Sequence, residues 1–224
     1  MAAFFVTGSG TDIGKTFVCA GLAAYWRDAG LKPAVFKPVV TGFDLEAPEG
    51  SDPAMLLAAL GLPTDRAALQ AIAPFRFRAP LSPDQAAALE GRSLGLEDVA
   101  KACRAAIQAA DGPILVEGAG GVMSPLNGRA TMLDLAAAIA VPVLFVADSR
   151  LGSISHALTG LAALKARALP VAVLLVNESP SGSVGTAPTM SSIAGHFDEA
   201  PILAVPRGAG RQTWAQISDA LGVG

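Results

Sequence analysis

The 224 residues carry 16 Lys and Arg against 19 Asp and Glu, a formal net charge of −3, with the basic residues scattered rather than gathered into a stripe, so there is no electrostatic footprint for nucleic acid and a small-molecule partner is expected. Hydrophobic residues make up 52% and charged residues only 16%, which favours a single domain over residues 1–224 with a large buried core. The longest uncharged apolar run, Leu135 to Ala147, is broken by Pro142 and too short to cross a bilayer as one helix. No membrane partner is expected, and with no charged n-region ahead of the first apolar stretch the expected location is cytoplasmic.

In chain order, AAFFV (2–6) is the first expected strand, followed by GSGTDIGKT (8–16) and a helical stretch ending near Gly30. PAVFKPV (33–39) is the second strand. Three helical segments follow, SDPAMLLAALG (51–61), SPDQAAALEG (82–91) and GLEDVAKACRAAIQAA (95–110). Ser51 before Asp52 and Pro53, and Ser82 before Pro83, have the form of N-caps with proline in the first turn. PILVEG (113–118), VPVLFVAD (141–148), VAVLLVN (171–177) and PILAV (201–205) complete the strands, and NESPSGSVGTAPT (177–189) is expected as an exposed, mobile loop.

These strands are apolar on both faces, which belongs to a parallel sheet sandwiched by helices. The expected fold is α/β, a doubly wound, mostly parallel sheet with helices on both faces, of the P-loop NTPase kind. Ligands on such sheets sit beyond the carboxyl ends of the strands. Polar residues do follow each run: GSGTDIGKT, then Lys37 and Thr41, Glu117 with GAGG, Asp148 and Ser149, Asn177 and Glu178, and Arg207.

A strand, a glycine-rich turn and then Gly14, Lys15 and Thr16 opening a helix is the context of a phosphate loop, whose amides and lysine hold phosphate oxygens. Its first glycine is out of place for GxxxxGK[ST], since position 9 is serine. Thr16 can ligate Mg²⁺, Glu117 is the best-placed carboxylate, and Asp52 is either a second one or merely part of a helix cap. Lys37 is either a surface lysine or a second cation beside Lys15 for a transferring phosphoryl group. Cys19 and Cys103 are expected as buried free thiols, and neither His156 nor His196 has a partner at metal-ligand spacing.

GSGTDIGKT resembles the dethiobiotin synthetase loop GTDTxVGKT, which also has five residues between its glycines. The resemblance continues through KPVVTG (37–42), GSD (50–52), PLSP (80–83), LVEGAGG (115–121), LGSISH (151–156), VN (176–177) and AVPRG (204–208). It implies ATP-dependent closure of 7,8-diaminopelargonate and CO₂ to a cyclic urea. It also implies residue roles: Asp12, Ile13, Gly14, Lys15, Thr16 and Phe17 around ATP; Thr16, Asp52 and Glu117 on Mg²⁺; and Lys37 with Lys15 as catalytic lysines. Thr41 would contact carbamate or diamine, and Gly118, Ala119, Gly120 and Gly121 would give backbone contacts to substrate and nucleotide. Asn177, Glu178, Pro206, Arg207 and Gly208 would surround adenine. A homodimer is implied, with Leu151, Gly152 and Ser153 reaching the neighbouring subunit's substrate. The chain departs from the family at Ser155, where asparagine is familiar, at Asp84, where histidine is frequent, and at Gly10, acidic in some relatives. Two other readings share the loop: a cobyrinate-type amide ligase, which usually brings a glutaminase cysteine, and a ParA- or MinD-like switch, which carries a lysine near position 10.

Overall fold

Strand β1 (Ala3–Gly8) lies inside the sheet, flanked in parallel by β5 (Ile114–Glu117) and β6 (Val143–Asp148). The computed structural model describes residues 2–180 and 184–224. With β2 (Ala34–Phe36), β7 (Val171–Asn177) and β8 (Ile202–Val205), the order across the sheet is β2-β5-β1-β6-β7-β8, and every pairing is parallel. From β1 the chain winds to one side through β2 and β5 and then crosses to β6. The carboxyl ends of β1, β5 and β6 therefore meet where the winding reverses, the usual crevice for a ligand.

Both faces of the sheet are covered, which is why its strands lack polar alternation. Phe4, Val6, Leu115, Leu144 and Val146 pack with Val18, Leu22 and Trp26 of α1 (Lys15–Asp28), Leu56 of α2 (Asp52–Leu60) and Trp214 and Ile217 of α9 (Arg211–Ala220). On the opposite face Phe5, Ile114 and Val116 meet α5 (Leu96–Ala109) and α6 (Met132–Ile139), and Val143, Phe145 and Leu174 meet α7 (Ser153–Ala166) and α8 (Thr186–Ala194). Burying each such side chain contributes roughly 1.5–3 kcal/mol.

The expected second strand is divided. β2 stops at Phe36, and β3 (Val39–Val40) pairs instead with β4 (Phe75–Arg76) in a separate two-stranded sheet. Lys37 N donates to Ile72 O at 2.8 Å and Pro38 has no N–H to give, so the chain leaves the main ladder there. α3 (Arg66–Ile72), absent from the sequence reading, supplies that acceptor. Ser51 caps α2 through a bond from Ala54 N at 3.4 Å. Ser82, before α4 (Pro83–Leu89), instead donates its hydroxyl to Asp84 at 2.5 Å. The segment expected as loop over 177–189 is shorter, because Asn177 ends β7 and Thr186 begins α8; residues 181–183 of it lie outside the described residues.

Candidate active site

The loop from Gly8 to Gly14 begins against β6, with Ser9 N donating to Val146 O at 3.0 Å. A side chain at position 8 would strike that carbonyl, so glycine here serves close approach. The five residues between the glycines are accommodated by left-handed conformations at Asp12 (φ 55°) and Gly14 (φ 89°), the latter capping α1. The first amides of α1 have no carbonyl partner within the helix and favour an anion. Lys15 is buried and its Nζ donates to Gly10 O at 2.6 Å. Burial brings its pKa down from 10.5 to about 8 against the attraction of Glu117, with Lys37 adding to the fall.

Beside the loop, the divided second strand delivers Lys37 into a cage of oxygens. Its Nζ donates to Glu117 Oε1 at 2.6 Å and Thr16 Oγ1 at 3.3 Å and also pairs with Asp52. Thr16 Oγ1 donates to the same Glu117 oxygen at 2.7 Å. Burial works to lower the Lys37 pKa, but Glu117 and Asp52 overcome it and hold the ammonium above the ordinary lysine value. Because Ser51 is the cap of α2, Asp52 is released to face Lys37. Glu117 is fully buried and its Oε2 has no partner.

That orphaned oxygen, with Thr16 and Asp52, is a hard donor set suited to Mg²⁺. Among the described residues no three His, Cys, Asp or Glu side chains converge, so this is no all-protein metal cage. Two carboxylates and a hydroxyl fit an ion that keeps water and phosphate as its remaining ligands.

Two cavities meet at the loop. The larger, about 640 Å³, is lined by Lys15, Thr16, Lys37, Thr41, Asp52 and Glu117, together with Ala119, Gly120 and residues 80–83. The smaller, about 260 Å³, is lined by Ile13, Phe17, Asn177, Glu178 and Arg207. Asp12 and Gly14 border both. Asn177 Nδ2 donates to Ile13 O at 2.9 Å, which ties the loop to the end of β7, and Arg207 N donates to Glu178 Oε2 at 2.9 Å.

Not every expected residue arrives at these cavities. The amide of Gly118 is taken by Val6 O at 2.9 Å and that of Gly121 by Ser124 Oγ at 2.8 Å, so neither N–H is free for a ligand. Pro206 and Gly208 line neither cavity, nor do Leu151, Gly152 and Ser153. Leu151 is 88% exposed, while the Ser153 hydroxyl is buried without a partner. His156 and His196 are exposed. Thr11 and Ser124 in the larger cavity, and Ser179 and Pro180 in the smaller, were not singled out by the sequence, and nothing in its periodicity marks them. Asp148, also in the smaller cavity, does carry a signal, since it directly follows an apolar run. Cys19 and Cys103 are buried free thiols, as expected; burial pushes Cys103 up to about 12 and Cys19 well above its ordinary range, so neither is a ready nucleophile.

A family model described as an AAA domain matches residues 2–208. The chain is 49% identical to the ATP-dependent dethiobiotin synthetase BioD of Caulobacter sp. (strain K31) over 93% of this chain and 89% of that protein. It is 43% identical to the protein of the same name from Phenylobacterium zucineum (strain HLK1), over 96% of this chain and 92% of that one. Among solved structures it is similar to the signal recognition particle receptor FtsY from Elizabethkingia anophelis, with a TM-score of 0.56, 17% identity, and coverage of 98% of this chain and 65% of that one. The MinC:MinD cell division protein complex of Aquifex aeolicus is similar at a TM-score of 0.54 and 13% identity, over 99% of this chain and 85% of that one. Those two likenesses speak to the P-loop fold alone. The family match takes in the loop, Lys37, Asp52, Glu117 and Asn177, and the chain belongs to the AAA-domain family and to the ATP-dependent dethiobiotin synthetases.

Proposed function

We propose that this chain joins 7,8-diaminopelargonate and CO₂ into the cyclic urea of dethiobiotin, converting ATP to ADP and phosphate, with the whole chain acting as one synthetase domain. One amine takes up CO₂ as a carbamate, a carbamate oxygen is phosphorylated to the mixed anhydride, and the second amine attacks the carbonyl carbon as phosphate leaves. The observation that carries the reading is the gathering of Lys15, Thr16, Lys37, Asp52 and Glu117 around one cavity, in a chain of this family.

The residues divide the work between charge and position. Lys15 and the loop amides hold the ATP phosphates, and Lys37 sets a fixed positive charge against the carbamate oxygens as negative charge moves during transfer. Thr16, Asp52 and Glu117 hold Mg²⁺, which when bound supplies neutralisation of phosphate charge. Thr41 hydrogen-bonds carbamate or diamine from the cavity wall. Asn177, whose Oδ1 is left after Nδ2 binds Ile13, accepts from the adenine amino group, with Glu178 and Arg207 alongside. The exposed Leu151, with Gly152 and Ser153, suits contact with the substrate of a second copy in a homodimer. No helix among the described residues is long and apolar enough to cross a membrane. The two buried thiols suit a cytoplasmic protein.

ADP release by the purified chain, measured with the diamine and bicarbonate each omitted in turn, tests the reading. Turnover requiring both is expected. Turnover independent of both overturns it, and turnover requiring a different amine or carboxylate transfers the chain to the amide-ligase reading.

A further inference from the structure

Outside both cavities, the C-terminal helix α9 is fastened to α1 by specific contacts. Trp214 is buried, and its indole lies against Gly21 so tightly that any Cβ at position 21 would overlap the ring. Trp26 Nε1 donates to Ser218 Oγ at 2.7 Å, and the Arg211 guanidinium lies 5.5 Å from the centre of the Tyr25 ring. These contacts fix α9 along one face of α1.

Phe17 sits on that same face, one helical turn before Gly21. Its ring meets Trp214 edge-on, with centroids 5.6 Å apart and planes at 60°. Phe17 also lines the smaller cavity and is 38% exposed, so the cavity side of its ring is open while the other side is held by Trp214. An aromatic side chain at the first turn of a helix has several rotamers available. Here the edge contact selects one, and that choice sets the wall of the cavity.

We infer that Trp214 is a positioning residue for the nucleotide base, acting through Phe17 and touching neither nucleotide nor substrate. The inference rests on the smaller cavity being the base subsite. It predicts a separation between base and phosphate: loosening Phe17 weakens a ligand that has a base and spares one that has only phosphates.

The test compares Trp214→Leu, Trp214→Phe and Phe17→Leu in the full chain by calorimetric titration with ATP and with inorganic tripolyphosphate, alongside steady-state kinetics and thermal melts. Leucine rather than alanine keeps apolar bulk against Gly21. Trp214→Leu and Phe17→Leu should each weaken ATP about three- to tenfold, the scale of one aromatic pair. For Trp214→Leu, tripolyphosphate affinity, kcat and the KM for the diamine should hold, for Phe17→Leu tripolyphosphate affinity should hold, and Trp214→Phe should restore ATP affinity. If Phe17→Leu weakens ATP while Trp214→Leu does not, the positioning role is overturned and the base subsite stands. If neither weakens ATP, the base subsite fails and the inference with it. If Trp214→Leu weakens ATP and tripolyphosphate alike with a lowered melting temperature, Trp214 serves stability alone and the inference is overturned.

Discussion

The Lys37 ammonium and Glu117 Oε1 stand 2.6 Å apart, with the lysine side chain 7% exposed and the glutamate not at all. Removing Glu117 leaves the buried ammonium with only Asp52 and the Thr16 hydroxyl, and breaking a buried pair costs on the order of 3–5 kcal/mol when nothing replaces the lost partner. Asp52, the other carboxylate on Lys37, is 43% exposed at its side chain, and water can replace much of what it gives. Glu117→Ala is therefore expected to lose several-fold more stability than Asp52→Ala in urea unfolding, whereas both lose synthesis. Equal losses would show that Glu117 does not organise the cage.

The Lys37 ammonium takes Thr16 Oγ1, Asp52 and Glu117 Oε1, so it competes for two of the groups assigned to Mg²⁺ and stands beside the third, Glu117 Oε2. Lys37→Ala removes the competing cation and leaves two carboxylates facing one another. Mg²⁺ affinity in the absence of nucleotide should rise by about tenfold or more, since one unit of charge at a few ångströms is worth over 1.4 kcal/mol even at a dielectric constant near 20. Calorimetric titration with Mg²⁺ reads this directly, while the synthesis rate of the same variant collapses. Unchanged or weaker Mg²⁺ binding would move the metal away from Thr16, Asp52 and Glu117.

Gly14 combines a left-handed backbone (φ 89°) with contact to the Asn177 amide, which a Cβ would overlap. Alanine there meets both penalties: about 1–2 kcal/mol for the left-handed conformation, and displacement of the bond from Asn177 to Ile13 O. Gly14→Ala should lower ATP and tripolyphosphate affinity together, because the loop itself is disturbed. Asn177→Ala keeps the glycine and loses the clasp and the base acceptor, so its selectivity for ATP over GTP should fall. Competition binding with the two nucleotides distinguishes the variants.

Much of this site is written locally in the chain. Strand, glycine-rich turn and helix are consecutive from Ala3 to Asp28, so the loop could be read from its own residues, and the rule that ligands sit at strand ends brought Lys37, Glu117, Asp148 and Asn177 forward. The pairing of Lys37 with Asp52 depends on a chain departure at Pro38 and on Ile72 supplying an acceptor from α3, a long-range contact without sequence periodicity. Asp52 was ambiguous for a related reason: only the capping bond to Ser51 shows that the aspartate is not itself the cap. The expected backbone contacts of Gly118 and Gly121 do not have their amides to draw on, because Val6 and Ser124 consume them, and Ser124 lies in an irregular segment where no pattern fixes orientation. Trp214 is some two hundred residues from Phe17, and only the fold brings the two rings together.

Asp134 gives a pH-dependent test independent of the active site. Thr131 N and Oγ1 both donate to its Oδ2, at 2.8 and 2.9 Å, closing the first turn of α6, and Arg167 pairs with its other oxygen. The bond from the Thr131 backbone is the main cause of a pKa held below the ordinary 3.8, with the Thr131 hydroxyl and Arg167 adding to it against burial. A carboxyl whose folded pKa is depressed stabilises the fold fully above its unfolded pKa and loses that contribution as pH falls through the folded value. Asp134→Ala should therefore cost on the order of 1 kcal/mol at neutral pH, the worth of a helix cap. The gap between variant and parent should narrow as pH falls below the ordinary carboxylate value and through the depressed folded pKa, where the parent carboxyl takes up its proton as well. Urea unfolding of both proteins at each pH measures it, and a gap that stays constant down to acid pH would assign the loss to packing rather than to the charged cap.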